Sequence, residues 1–234
     1  MCKGILAGPV NYQGAMKTNK LSPARLRIVG LICIGVLVFA GFTQAIGRTS
    51  TSRLQGNPLN LQIPAVQQSR GSSCGEAVIA MTYNYAYPEA PISEQKVIEY
   101  AATNGYYTED LSPYTSPANM VKIAKYYADD VSSGRVITAG QGLALLTQKL
   151  RNGEPVIIDV LSNFSDPQSE AHFIVVMGLS VDPNRNNTVI VHYNDPLSGT
   201  QEAGDWAGNN GVWNAWKTNR DPGGSGWWLV ISPP

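Results

Sequence analysis

The chain has 234 residues, 43% of them hydrophobic and only 15% charged, with 17 basic and 17 acidic side chains, which is enough for one domain with a core of its own once a tail is set aside. The neutral total hides an asymmetry: no acid precedes Glu76, whereas from Leu61 onward ten Lys and Arg stand against 17 Asp and Glu, a net charge of −7. An acidic domain argues against nucleic acid as the partner, because binding phosphates needs a basic face.

Residues 1–27 form a basic tail carrying Lys3, Lys17, Lys20, Arg25 and Arg27. The run from Ile28 to Phe42 is apolar throughout, and no charge follows until Arg48. A basic flank ahead of such a run reads as a signal peptide or transmembrane anchor over 28–46, and the positive-inside rule then places the rest of the chain outside the cytoplasm, secreted or membrane-anchored. Thr43-Gln44-Ala45 supplies a small-residue cleavage site, and Met16 is an alternative start that shortens the flank. Residues 47–60, rich in Ser, Thr, Gly and Asn, read as a linker, so that one folded domain is expected over 61–234.

Leu61-Gln62-Ile63-Pro64 reads as a short alternating strand stopped by proline. Ala77, Val78, Met81 and Tyr85 follow helical spacing behind Cys74. Ser93 opens a second helix with Val97, Ile98 and Ala101 on one face. Ser116-Pro117 caps a third, backed by Met120, Ile123, Ala124 and Tyr127, and Leu143, Leu146 and Leu150 mark a fourth that ends at Asn152-Gly153. Strands follow at Pro155–Val160, Phe173–Met177, Thr188–Tyr193 and Trp227–Ile231, with the turn-rich Asp182–Asn186 between the middle pair. Helices first and antiparallel strands later make an α+β domain. Trp206, Trp213, Trp216, Trp227 and Trp228 read as packing residues rather than as a sugar-stacking surface.

Cys74 is the only cysteine beyond the N-terminal region, which holds Cys2 and Cys33. It has no partner for a disulfide within its domain, and exported proteins usually pair or lose their cysteines, so a retained single thiol is either inert core or a nucleophile. Ser73-Cys74-Gly75-Glu76 matches a capping box, with Ser73 as N-cap and Glu76 reaching back to its N–H. Cys74 then takes the first helical position, where free N–H groups and the positive end of the helix dipole stabilise a thiolate, and Gly75 keeps space open beside the sulfur.

A cysteine nucleophile needs a base, and the chain has two histidines, His172 and His192. A hairpin centred between Pro183 and Asn184 sets His172 opposite Asp195 at the edge of the sheet, on one face, and His192 opposite Val175 on the other. That register selects His172 as base and Asp195 as the carboxylate that fixes its tautomer, and leaves His192 structural. The developing oxyanion needs donors; the Cys74 N–H is one, and the Gln68 side-chain amide, with Gln67 as its neighbour, is the candidate for the second.

Gln68-x5-Cys74-Gly75, then Ala171-His172-Phe173-Ile174-Val175-Val176-Met177-Gly178, then Tyr193-Asn194-Asp195-Pro196 resembles, in order, the papain-like cysteine peptidases of the bacteriocin-processing (double-glycine leader) type, in particular their stand-alone, exported bacterial relatives. The resemblance spans about Leu61 to Pro234. It implies a papain-like fold in which the nucleophile helix of an N-terminal helical part packs on a C-terminal antiparallel sheet. It also implies peptide or protein substrates, no cofactor and no metal, with Cys74 as nucleophile, His172 as base, Asp195 as orienter and Gln68 in the oxyanion hole. Two features depart from the pattern. Glu76 stands where the family usually has proline, with a charge that opposes thiolate formation, and no P-loop or multi-span membrane domain accompanies the peptidase. Two other readings use the same residues: another thiol acyl transferase or amidase, transglutaminase-like or acting on the cell wall, and a catalytically silent peptide-binding module.

Overall fold

Seven strands form one antiparallel sheet in the computed structural model, which describes residues 59–112 and 114–234. The expected basic tail, the apolar 28–46 segment and nearly all of the linker lie outside the described residues. Among the described residues no helix is long and apolar enough to cross a membrane.

The elements in chain order are β1 (Leu59–Asn60), α1 (Cys74–Ala86), α2 (Glu94–Thr103), α3 (Pro117–Tyr127), β2 (Val131–Arg135), α4 (Ala139–Arg151), β3 (Val156–Leu161), β4 (Ala171–Asp182), β5 (Thr188–Asp195), β6 (Thr200–Asp205), α5 (Val212–Thr218) and β7 (Trp227–Ile231). The sheet runs β2-β7-β3-β4-β5-β6, and β1 pairs with the far end of β4. Helix starts follow the local chemistry. Ser93, Ser116 and Thr138 each accept a hydrogen bond from the backbone N–H three residues on, and Pro117 occupies the first turn of α3. Gly153, at φ +77, takes the left-handed conformation just past α4.

The centre of the sheet is covered on both faces. Ile157, Phe173, Val175 and Leu229 pack with α1, α2 and α3, while Ile158, Val160, Ile174, Val176 and Val230 pack with α4 and α5. All six residues of β3 are buried, which is why this strand reads as a continuous apolar run rather than an alternating one. Each fully buried Ile or Val here contributes about 1.5–3 kcal/mol. The tryptophans pack as expected. Trp206, Trp213 and Trp216 close around Gly142 of α4, where a Cβ would lie 3.0–3.2 Å from all three rings, and Trp227 meets Phe173 edge-on at 5.7 Å.

Three expectations need correction. The first strand lies at Leu59–Asn60 rather than Leu61–Pro64, although Leu61 still donates its N–H to the Met177 carbonyl at 2.9 Å. Strands β2 and β6 and helix α5 arise where no regular element was expected. The β4–β5 register also differs: Val175 faces Asn194, Val176 faces Tyr193 and, past a bulge at Met177, Gly178 faces His192. The turn is longer than a hairpin centred at Pro183 and Asn184, because a 3-10 turn at Pro183–Arg185 is followed by Asn186 and Asn187 at φ 53 and 57 before Thr188 pairs with Asp182. Glycine is required at 178, since a Cβ there would come within 2.7 Å of the Leu59 carbonyl oxygen as β1 crosses.

Candidate active site

Cys74 is the first residue of α1 and half-buried, so its N–H belongs to the turn that has no acceptor within the helix. The loop ahead of it is held from a distance. Ser73 Oγ donates to Glu94 Oε1 at 2.6 Å and accepts from the Arg70 N–H at 3.1 Å, and both Glu94 oxygens take the Ser69 N–H at 3.0 Å. The expected capping box therefore does not form: Ser73 makes no cap bond to the first turn, and its oxygen accepts from the Arg70 N–H instead while its proton goes to Glu94. Gly75 does not leave open space either; a Cβ there would sit 2.8 Å from Met120 Sδ and 3.5 Å from the Phe173 ring, so the glycine lets α1 close onto α3 and β4.

Glu76 turns inward instead of back. It is 0% exposed, accepts from Thr115 Oγ1 at 2.7 Å through Oε1, and has no partner at Oε2. Burial, opposed in part by the Thr115 hydroxyl, raises its pKa from the ordinary 4.5 to about 7. Near neutrality this carboxyl is therefore less fully charged than an ordinary glutamate. The folded chain keeps the proton up to about 7 and the unfolded chain only to 4.5. Stability from this group is therefore complete below pH 4.5 and is lost as pH rises through 7, by about 3 kcal/mol in all. Glu76→Gln is expected to match the wild type in thermal unfolding at pH 5 and to melt several degrees higher at pH 8, at about 2–4 °C per kcal/mol. Parallel melting curves at the two pH values would refute this account.

His172, the second residue of β4, is 5% exposed, and its Nε2 lies 2.7 Å from Oδ1 of Asp195, the last residue of β5. That contact leaves the other ring nitrogen, Nδ1, free of Asp195, and Cys74 is close enough to act on the His172 pKa. Burial alone would push the imidazole pKa down, but hydrogen bonds to Asp195 and Cys74, with their charges, carry it up to about 10. Burial pushes the Asp195 carboxyl up, and the His172 bond and charge with the Leu197 and Ser198 N–H groups hold it below its ordinary value. The two residues meet although the expected register was wrong. The observed ladder, continued by one rung, sets Asp195 beside Ile174, two residues from His172 and on the same side of the pleat; a diagonal neighbour is within reach of long side chains. His192 keeps the structural place expected of it, its Nε2 2.8 Å from Ser180 Oγ on the neighbouring strand, with its pKa lowered by burial.

Gln68 lies against the strand that carries Asp195, donating its backbone N–H to the Pro196 carbonyl at 2.8 Å. Its side-chain Nε2 donates to the carbonyls of Arg70 at 2.7 Å and Gly71 at 3.0 Å, so both amide hydrogens brace the loop before Cys74. Gln67 is exposed and packs on Gly199, which makes Gln68 the inward member of the pair.

A narrow cleft opens beside the sulfur, walled by Ser72, Cys74 and Gly75, by Tyr114 and Thr115, by Glu170 and Phe173, and by Asp221. Sequence reasoning passed over the acidic pair beneath it. Asp159 sits in β3 opposite Phe173, 0% exposed, and neither carboxyl oxygen meets a donor. Burial, then Asp221 and Cys74, drive its pKa well up, and burial raises Asp221 to about 6. The two carboxyls act on each other, and the more deeply buried Asp159 is the one pushed further toward its neutral form. The signal was present: Asp159 is the one charged residue in the apolar run Val156–Leu161.

The described residues hold no group of three His, Cys, Asp or Glu placed for a metal ion. A family model, the Peptidase_C39 like family, matches residues 60–221. The chain belongs to this family. Membership of the Peptidase_C39 like family suggests a papain-like cysteine peptidase, a hydrolase, and the α+β architecture with its antiparallel sheet is compatible with that fold. The matched segment contains Gln68, Cys74, His172 and Asp195. No curated protein matches the chain.

Proposed function

We propose that the protein is an exported cysteine peptidase that hydrolyses peptide bonds, with Cys74 as nucleophile, His172 as proton shuttle and Asp195 as the carboxylate that orients it. The observation that carries this reading is His172, whose Nε2 lies 2.7 Å from Asp195 Oδ1 and whose pKa is raised by Asp195 and Cys74 together, in a chain whose family suggests a cysteine peptidase. Cys74 Sγ attacks the carbonyl carbon of the substrate, and the oxygen that becomes negative is met by the Cys74 N–H at the start of α1. Protonated His172 gives its proton to the leaving amine, and the C–N bond breaks to leave a thioester. His172 then takes a proton from water, the hydroxide attacks the thioester, and the acid leaves as Cys74 returns to thiolate. Gln68 joins the oxyanion hole by turning its amide away from the Arg70 and Gly71 carbonyls. Export rests on the apolar run behind a basic tail, which also supplies a membrane contact if it is not cleaved.

The test is digestion of a mixed peptide library by the full chain in oxygen-18 water, with products read by mass spectrometry. New C-termini carrying one heavy oxygen are expected. Intact peptides under conditions in which iodoacetamide still modifies Cys74 would overturn the reading, and transfer of the acyl group to an added amine would make the enzyme a transferase.

A further inference from the structure

We propose that the cleft beside Cys74 selects substrates with a cationic Lys or Arg side chain next to the bond that is cut, and that Asp221 is the carboxylate that receives it. The inference deepens the peptidase reading above and rests on it for the reaction, though not for the recognition.

Asp221 and Glu170 both line the cleft with Cys74, and among the described residues neither forms an ion pair. Nearby cations are engaged elsewhere: Arg220 donates to Gln168, and Arg70 pairs with Glu109 at 3.3 Å. With His172 held by Asp195, a carboxylate in the cleft wall that no Lys or Arg pairs is open to a cationic side chain of the substrate.

The placement of Asp221 is built from beneath. Asn219, itself buried, donates through Nδ2 to the Asp159 carbonyl at 2.7 Å and accepts the Asp221 N–H through Oδ1 at 3.2 Å, which clamps the Asn219–Asp221 loop to β3. Gly224 presses on the other side of Asp159; a Cβ there would fall 2.1 Å from Asp159 Oδ2, so glycine alone allows the loop to close over that carboxyl. Asp159 is fully buried with no donor at either oxygen and is the member of the pair that keeps the proton. Asp221, less deeply buried and stabilised as an anion by Asp159, carries charge above about 6. The Asn219 clamp therefore fixes a charged carboxylate at the cleft wall, above a buried acid that stays neutral. The net charge of −7 from Leu61 onward adds a long-range field that draws basic peptides in.

The experiment compares peptides that differ at a single position, arginine against its neutral isostere citrulline, scanned through the positions on both sides of the cut. At one position kcat/KM is expected to favour arginine by roughly 10- to 100-fold, the range of a charge-assisted hydrogen bond, and in Asp221→Asn the ratio is expected to fall to about 3 or less. A ratio near one in the wild type, or an unchanged ratio in Asp221→Asn, overturns the proposal. A second measurement is independent of turnover: the labelling rate of Cys74 by a trimethylammonium-ethyl methanethiosulfonate relative to the neutral methyl reagent. That ratio is expected to drop several-fold in Asp221→Asn, and dividing by the rate of the neutral reagent cancels any change in the reactivity of the thiol itself. If no peptide is cut but the labelling ratio drops, the peptidase reading fails and cationic recognition stands; if peptides are cut and neither ratio responds, recognition fails alone.

Discussion

Cys74→Ala is expected to reduce peptide hydrolysis roughly ten-thousand- to million-fold, the scale of losing a covalent nucleophile outright, while the fold stays intact. The substitution removes one sulfur from a half-buried position at the start of α1, so stability should change by no more than about 1 kcal/mol. It also removes one of the two hydrogen bonds and one of the two charges that raise His172. The His172 ring, followed by proton NMR, should therefore titrate at lower pH in the variant than in the wild type. The two readouts separate chemistry from collapse: lost activity with an unchanged melting temperature and a lowered His172 pKa is the signature of a removed nucleophile. More than about 1% of wild-type turnover in Cys74→Ala would remove this residue from the mechanism.

Elements that bury an apolar face or run were legible from the residues alone. Helices α1 to α4 repeat their apolar positions at helical spacing, and β3, β4, β5 and β7 are rich in Val and Ile. Strands β2 (Val-Ser-Ser-Gly-Arg) and β6 (Thr-Gln-Glu-Ala-Gly-Asp) were not, because each lies at an edge of the sheet with few buried side chains and is held by ladder bonds that composition does not reveal. The register was misread because the Met177 bulge and the two left-handed asparagines add residues that a simple hairpin lacks. Near the site the resulting offset is two residues, an even number, so His172 and Asp195 still share a face. The capping box failed for a different reason. The partners of Ser73 and Glu76 are Glu94 and Thr115, 21 and 39 residues away, and no local spacing points to them. Cys74 was found by elimination among three cysteines, whereas Asp221, in a loop of Asn, Arg, Asp and Pro, looked like any turn until the sheet brought Asp159 under it.

His172→Ala is expected to lower kcat/KM by roughly a thousand- to a hundred-thousand-fold, since it removes both the proton donor for the leaving amine and the base for the water step. The more discriminating measurement is the pH profile. His172 must be protonated to release the amine, and its pKa of about 10 means that wild-type kcat/KM should hold through neutral pH and fall only as pH rises through about 10. Burial acts on this imidazole in the opposite direction, and Asp195 supplies a large part of what overcomes it. In Asp195→Asn the hydrogen-bond acceptor survives but the charge is gone, so the alkaline limb should move down by roughly 1–3 pH units. In Asp195→Ala the acceptor is lost as well, leaving a buried N–H unpaired, and the limb should move further with a stability loss of about 1–3 kcal/mol. The order wild type, Asp195→Asn, Asp195→Ala along the pH axis follows from an orienting carboxylate that also stabilises charge. A limb that stayed in place in both variants would mean that His172 owes its proton affinity to Cys74 alone, and Asp195 would then be a turn residue after β5 with no part in catalysis.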